Sequence, residues 1–380
     1  MNSNLTVTFF SNFLIHHQTP FCEAMINRIG DGFRFVATEP TPKERLNMGY
    51  RDYTDTPYVV YSYKDENQYK EALRLGAESD VVIIGSAPDE FIKERLRQNK
   101  LTFRYCERFF KEGKWRIFDP RVFSGRFKND FRYRNKNLYM LCASAYTAPD
   151  CRFILSYPNK TYKWGYFPEV DTDKNIDELI SRKTPNSILW AGRQINWKHP
   201  EYAVYVAKRL KENNTPFTLN IIGDGDMHNT LKNMICENNL QNEVHLLDSM
   251  SPDKVREHMA KSEIFLFTSD KNEGWGAVLN EAMSAGCAVV ASGEIGSVPY
   301  LIANGENGLV YDRKDKNALL ASVKRLIDNP ALRRKIQKNA YETIKDVWNA
   351  EVATDRLLHL IDCIKNGTET GYKSGPCSRD

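Results

Sequence analysis

Two carboxylates close in sequence frame the most informative window of the chain, Glu273-Gly-Trp-Gly-Ala-Val-Leu-Asn-Glu281. The pattern predicts a strand ending at Ser269, a loop carrying Glu273 and the Gly274-Trp275-Gly276 turn, and a helix opening near Ala277. Glycines ahead of a helix let backbone N–H groups approach a ligand, and the unpaired N–H groups of a first turn attract an anion. Ionised carboxylates only accept hydrogen bonds, which suits the vicinal hydroxyls of a sugar. Glu273 is thus placed to meet one part of a hydroxyl-rich, phosphate-bearing ligand, and Glu281 another. For an isolated pair, a loop glutamate beside an ordinary helix glutamate is the plainer reading.

A second window, Gly192-Arg193-Gln-Ile-Asn-Trp-Lys198, runs from a predicted strand to just before a predicted helix. Arginine offers bidentate contact and lysine a point charge, so the two could clamp a diphosphate at the strand's carboxyl end. Alone, this window too reads more simply as two solvated cations on a loop. Other patterns carry less. Gly223-x-Gly225-x-x-His228 lacks the third glycine of a dinucleotide fingerprint. Asp171-x-Asp173 and Asp224-x-Asp226 read as a linker and a turn, so no required metal or other cofactor is expected. Zinc-ligand spacing, a P-loop and G-x-S-x-G are all missing from the sequence.

The elements that must hold these residues alternate. Strands are expected at 5–10, 33–38, 58–63, 81–84, 101–105 and 137–143, then at 187–191, 218–222, 244–247, 264–268, 288–291 and 308–311. Helical patterns lie between them, as at 66–75, 89–98 and 200–213; Ala203, Val204, Ala207 and Leu210 form a core-facing stripe on the last. Strands alternating with helices predict parallel sheets covered on both faces. The expected fold class is α/β, with two facing Rossmann-like doubly wound domains over 1–168 and 186–345. A polar stretch, 169–186, separates them, a helix at 348–370 returns to the first, and 371–380 is expected to be a loose tail. Ligands of such sheets bind beyond the carboxyl ends of the strands.

The 380 residues include 41% hydrophobic and 27% charged positions, enough for two cores. The longest aliphatic run, Val81–Ile84, is far below the roughly 18 residues of a membrane span. The N-terminal sequence has no basic-then-apolar signal, and the eight cysteines show no CxxC, so reduced thiols in a cytoplasmic protein are expected. The formal charge of +4 conceals a gradient: residues 91–136 hold 15 Lys/Arg against 5 Asp/Glu, together with 11 aromatics. This basic, aromatic belt could be a solvated face or a nucleic-acid surface. The preferred reading is a patch for an anionic membrane, since cations near anionic lipid and aromatics at the interface are both favourable. No nucleic-acid motif accompanies the belt, and no nucleic-acid partner is expected.

Taken together, Gly192-Arg193-x4-Lys198, Ile221-Ile-Gly223-Asp-Gly225, Glu273-Gly-Trp-Gly…Glu281-Ala-Met-x-x-Gly286 and Gly305-Glu-Asn-Gly-Leu-Val resemble the C-terminal half of retaining glycosyltransferases of group 1, family 4. The resemblance is strong from Ile188 to Tyr311 and implies a GT-B fold. It implies that Arg193 and Lys198 bind the donor's diphosphate, Glu273 the sugar and Glu281 the ribose. Gly192, Gly223 and the backbone of Gly274, Trp275, Gly276 and Ala277 would line the donor site, with Leu246 and Leu247 edging the base. Catalysis would rest on Glu273, Arg193 and Lys198. The family's glycine-rich first loop is replaced by Ser11-Asn-Phe-Leu-Ile-His16-His17-Gln-Thr-Pro20, which makes His16 and His17 candidates on the acceptor side, with Tyr105, Glu107 and Arg108. The implied activity is sugar transfer, with retention, from a nucleotide-diphosphate sugar to a glycan or lipid-linked acceptor in surface polysaccharide or glycolipid assembly, by a cytoplasmic enzyme peripheral on the inner membrane face. A sugar-nucleotide epimerase, a phosphorylase or a non-catalytic subunit of the same fold are the alternatives.

Overall fold

The computed structural model describes residues 5–47, 49–170 and 175–380, and the Asp171-x-Asp173 motif lies outside them. Thirteen strands form two sheets. The first contains β1 (Val7–Ser11), β2 (Phe33–Ala37), β3 (Val59–Tyr61), β4 (Val81–Ile84), β5 (Thr102–Cys106), β6 (Leu138–Cys142) and β7 (Thr161–Lys163), in the order β3-β2-β1-β4-β5-β6-β7. The second contains β8 (Ser187–Ala191), β9 (Thr218–Ile222), β10 (Val244–Leu247), β11 (Ile264–Phe267), β12 (Ala288–Ser292) and β13 (Leu309–Tyr311), in the order β10-β9-β8-β11-β12-β13. All these neighbours are parallel. Both expected doubly wound sheets are present. In each, the order reverses beside the first strand, between β1 and β4 and between β8 and β11, and the loops leaving those strands meet at the switch point.

Burial explains why these runs become strands. Ile264, Phe265, Leu266 and Phe267 of β11 are each no more than 4% exposed. Side chains hidden on both faces of a sheet contribute about 1.5–3 kcal/mol apiece, which outweighs any local preference for another conformation. The helix Glu201–Glu212 covers β8 and β9 with Ala203, Val204, Ala207 and Leu210, all buried.

The chain divides into two units, one comprising Met1–Asn47, Arg51–Glu169 and Asn349–Asp380, the other Met48–Tyr50 and Val170–Trp348. In the first, the last helix (Ala350–Asn366) packs on the helix Thr19–Ile29, and Arg28 bridges Glu351 at 2.6 Å and Asp355 at 2.9 Å. Within the polar stretch, residues 175–186 belong to the second unit. Lys183 within it is buried, and its ammonium donates to the carbonyls of Met259 (3.0 Å), Ser262 (2.8 Å) and Ala285 (2.8 Å), closing the ends of two helices.

Three further expectations are corrected. β7 is an additional strand, and the final residues, expected to be loose, run antiparallel along it: Lys163 N–H donates to the Ser378 carbonyl at 2.9 Å and Cys377 N–H to the Lys163 carbonyl at 2.8 Å. Cys377 is fully buried there. Pairing shields the edge of the sheet, and a pairing so distant in sequence leaves no local signal. The pattern at 89–98 divides into a 3-10 turn, Asp89–Ile92, and a short helix, Lys93–Arg97. The belt 91–136 is not one surface, because Arg95 is fully buried, donating to the carbonyls of Gly76 at 2.9 Å and Leu101 at 2.6 Å, and Arg104 pairs with Asp89 at 2.8 Å beside buried Asp130. Among the described residues, no helix is long and apolar enough to cross a membrane.

Candidate functional site

In the second unit the loops leaving β8, β9 and β11 are sewn together. The Gly192 N–H donates to the Ile222 carbonyl (3.0 Å), the Gln194 N–H to the Asp224 carbonyl (2.8 Å) and the Asp270 N–H to the Trp197 carbonyl (2.9 Å). Gln194, fully buried, donates from its amide to the Gly223 carbonyl at 2.7 Å and faces His228 at 3.0 Å. The loops lie so close that a Cβ at Gly223, whose φ is +136°, would fall 2.0 Å from the Gly192 carbonyl oxygen. Only glycine combines that conformation with that clearance. Trp190 Nε1–H donates to Thr268 Oγ1 (2.8 Å), whose hydroxyl donates to the Lys198 carbonyl (2.6 Å), so β11 holds the lysine's backbone directly.

This scaffold brings two of the expected residues into contact across the switch point. Lys198 Nζ lies 2.6 Å from Glu273 Oε2, which also accepts from Ser269 Oγ at 2.8 Å. Glu273 is 8% exposed, so the pair is partly desolvated. The Arg193 guanidinium lies 6.0 Å and the Lys198 ammonium 4.8 Å from the centre of the Trp197 ring, which gathers both cations on one loop. Behind Glu273, Gly276 adopts φ +78° with a virtual Cβ 2.4 Å from the Phe267 ring, fixing a tight turn into the helix Val278–Ser284.

Glu281, in the first turn of that helix, is 9% exposed. Burial pushes its carboxyl up to about 7, and Arg256, 3.8 Å away on the helix Pro252–Lys261, pulls it down less. At neutral pH this carboxyl therefore alternates between donor and acceptor. Arg256 and Gln194 were not foreseen: each acts through a contact made only in the folded unit, and neither belongs to a recognisable spacing.

Other expected ligand contacts are redistributed. Trp275 is fully buried, its Nε1–H donating to Asn280 Oδ1 at 2.9 Å and its ring packed on Tyr300 and Trp348, so its side chain serves the core and only its backbone remains for a ligand. Leu246 and Leu247 both belong to β10 and so point to opposite faces. Leu246 packs on the core, which leaves Leu247, half-buried at the strand's carboxyl end, as the one able to edge a base. Asp224 forms a turn, its carboxylate accepting from the Gly225 N–H at 2.7 Å.

In the first unit, the loops at the carboxyl ends of β1, β5 and β7 bring together His17, Tyr105 and Glu107. His17 stacks on Tyr166 at 6.0 Å, Tyr105 meets the same ring edge-on at 5.8 Å, and the Tyr166 hydroxyl donates to Glu107 Oε1 at 2.9 Å. Glu107 also pairs with Lys111 at 2.7 Å. His16 lies against His17, whereas Arg108 turns aside onto the Tyr146 ring, 4.7 Å from its centre. Tyr166, the hub of this cluster, was also unforeseen. The arrangement is a polar, aromatic-walled cluster.

Residues 171–343 match the family model of glycosyl transferases group 1. An uncharacterised glycosyltransferase of Methanocaldococcus jannaschii is 32% identical over 129 residues, covering 34% of this chain and 36% of that protein. The amylovoran biosynthesis glycosyltransferase AmsK of Erwinia amylovora is 27% identical over 205 residues, 53% of this chain and 49% of AmsK. The chain thus aligns with half or less of the length of these relatives. In three dimensions it is similar to the crystal structure of Anabaena Alr3699/HepE in complex with UDP, with a TM-score of 0.70 and 13% identity over 94% of this chain and 100% of that one. At that identity the likeness is one of fold.

Proposed function

From the match of residues 171–343 to the group 1 glycosyl transferases and the GT-B fold of the chain, we propose that this protein transfers a sugar from a nucleotide-diphosphate donor to a glycan or lipid-linked acceptor. The observation that carries the proposal is the 2.6 Å contact between Lys198 and Glu273, two residues 75 positions apart, at the switch point of the second sheet. It supports a donor whose diphosphate lies on Arg193 and Lys198 and whose sugar hydroxyls donate to Glu273. Gly192, Gly223 and the Gly274–Ala277 backbone line this donor, with Leu247 at the base and Glu281 at the ribose.

On this reading Arg193 and Lys198 stabilise the charge that develops on the departing diphosphate, the stage at which electrostatic stabilisation is largest. Two fixed cations do what a divalent ion would otherwise do, so no metal takes part, and chelator should leave turnover unchanged. The resemblance to family 4 implies retention: the new glycosidic bond would form on the face the diphosphate leaves, and the leaving phosphate oxygen would take the acceptor's proton. The aromatic platform around Tyr166, with His17, Tyr105 and Glu107, is the acceptor side. The resemblance to the amylovoran biosynthesis glycosyltransferase AmsK supports a role in polysaccharide assembly.

Calorimetric titration with UDP, GDP and ADP tests the reading. Tight binding of one of them, followed by release of the free nucleoside diphosphate and a lengthened acceptor when the matching sugar nucleotide is supplied, is expected. Binding of none contradicts it, and turnover of donor without a lengthened acceptor points instead to an epimerase.

A further inference from the structure

Among the described residues, the exposed large hydrophobic side chains all belong to the first unit, and most fall on one stretch: Trp115 (60%), Phe118 (85%), Phe123 (56%), Phe127 (47%), Phe153 (43%) and Leu155 (67%). Four of them lie on a 3-10 turn, Lys114–Phe118, and the helix Pro120–Asn129, neither of which has a single buried residue. A surface helix ordinarily turns its apolar stripe inward. Here the stripe faces out, with Phe123 stacked on Phe127 at 6.3 Å and Phe127 on Phe131 at 5.4 Å.

This helix is firmly built. Asp119 caps it, accepting from the Arg121 N–H at 2.9 Å, and buried Asp130 anchors its far end through Arg126 at 3.0 Å and the Tyr157 hydroxyl. Its outer apolar face is therefore a stable feature of the fold.

The charge around that face is one-sided. Residues 111–136 carry nine Lys/Arg against three Asp/Glu. The three acids are engaged within the unit, Glu112 with Arg116 at 3.2 Å, Asp119 at the helix cap and Asp130 in the interior. Lys114, Arg121, Lys128 and Arg132 are exposed. Lys114 lies over the Phe153 ring at 5.0 Å and Arg116 over Trp115 at 5.5 Å, with their stems along the rings. Rings at the apex with cations around them match a bilayer interface bearing anionic headgroups. A second copy would set like charge against like charge. Nucleic acid would need free ring faces in series, and Phe123, Phe127 and Phe131 already stack on one another.

We propose that this face docks the protein on an anionic phospholipid leaflet, with Trp115, Phe118, Phe123 and Phe127 entering the headgroup–acyl boundary and the surrounding lysines and arginines meeting lipid phosphates. The proposal gives the glycosyltransferase reading its acceptor source, a lipid-linked chain, and rests on that reading for its purpose though not for the binding itself. β5 leads through Glu107 straight into this surface, so docking brings the acceptor platform to the membrane.

Flotation of the full chain with phosphatidylcholine vesicles, with and without phosphatidylglycerol, tests it. Binding should require the anionic lipid, weaken about fivefold for each of Arg121→Gln and Lys128→Gln, and fall at least tenfold in Phe118→Ser/Phe123→Ser. These positions are exposed, so circular dichroism and UDP binding of the variants should match the parent. Equal binding to neutral vesicles, full binding by the double serine variant, tighter binding to single-stranded oligonucleotide than to vesicles, or self-association abolished by the serines with flotation intact would each overturn the proposal. Failure of nucleotide titration with flotation intact would strike the glycosyltransferase reading instead.

Discussion

The two units use the same sheet order to opposite ends. In the second, three loops at the strand ends hydrogen-bond to one another, a glycine at 223 allows backbone to touch backbone, and the opposed charges of Lys198 and Glu273 meet in a partly buried pair. In the first, residues at the strand ends form a polar and aromatic cluster around Tyr166, and beyond it a helix turns its phenylalanines outward. The lesson is that one architecture can be specialised by its loops: hydrogen bonds between loops fix the strand ends of one unit, while in the other a helix beyond the strand ends keeps its apolar side chains at the surface.

The sharpest way to break this comparison is to remove the pair. Lys198→Ala or Glu273→Ala should each lower the rate of sugar transfer by about 10²–10³, the scale of losing one electrostatic contact to a developing charge. Thermal unfolding should show the double variant no less stable than either single one, because a single change leaves a partly buried charge unpaired. Retention of full rate by both single variants would remove the second unit from the chemistry.

Next in size is the glycine that lets the loops meet. Gly223→Ala should destabilise the protein by about 2–4 kcal/mol, since a methyl group there collides with the Gly192 carbonyl in a conformation that L-residues avoid, and nucleotide binding should fall with it. Denaturant melts followed by tryptophan fluorescence would measure this.

A smaller effect is expected from Glu281. Its carboxyl, raised by burial to about 7, becomes an acceptor for ribose hydroxyls only once ionised. Uridine affinity should therefore rise by about tenfold between about pH 6 and about pH 8, and Glu281→Gln should flatten the profile. The sign for folding is opposite: an acid held more tightly protonated in the folded state than in the unfolded one favours folding at low pH, and that contribution is lost as pH rises from the ordinary glutamate range through about 7.

Smallest of all should be Gly125→Ala in the outward-facing helix of the first unit. A Cβ at Gly125 meets nothing within 4 Å, so alanine should raise stability by no more than about 1 kcal/mol. A loss as large as that of Gly223→Ala would erase the contrast between the cross-linked loops of the second unit and the outward-facing helix of the first.

How far these features were legible in the sequence follows the range of the interactions that make them. Doubly buried strands such as Ile264–Phe267 announce themselves by composition alone, and their ends were readable to within a residue or two. The three-residue β7 was not, because it is held partly by Cys377 and Ser378, which return to it from the far end of the chain. Within the site, Arg193, Lys198, Glu273 and Glu281 stand out by type and spacing. Gln194, Arg256 and Tyr166 do not, since their importance comes from partners that only folding supplies. The burial of the Trp275 side chain is illegible for the same reason: its place beside Glu273 is local, but the core it enters is built with Tyr300 and Trp348.

The central claim is that the second unit holds a diphosphate on Arg193 and Lys198. Calorimetry of UDP and uridine with Arg193→Ala and Lys198→Ala tests it directly. Each variant should lose about tenfold to hundredfold in affinity for UDP while keeping uridine within about twofold, as expected when a charge-assisted contact to phosphate is removed. Equal losses for both ligands, or unchanged UDP binding in both variants, would contradict it.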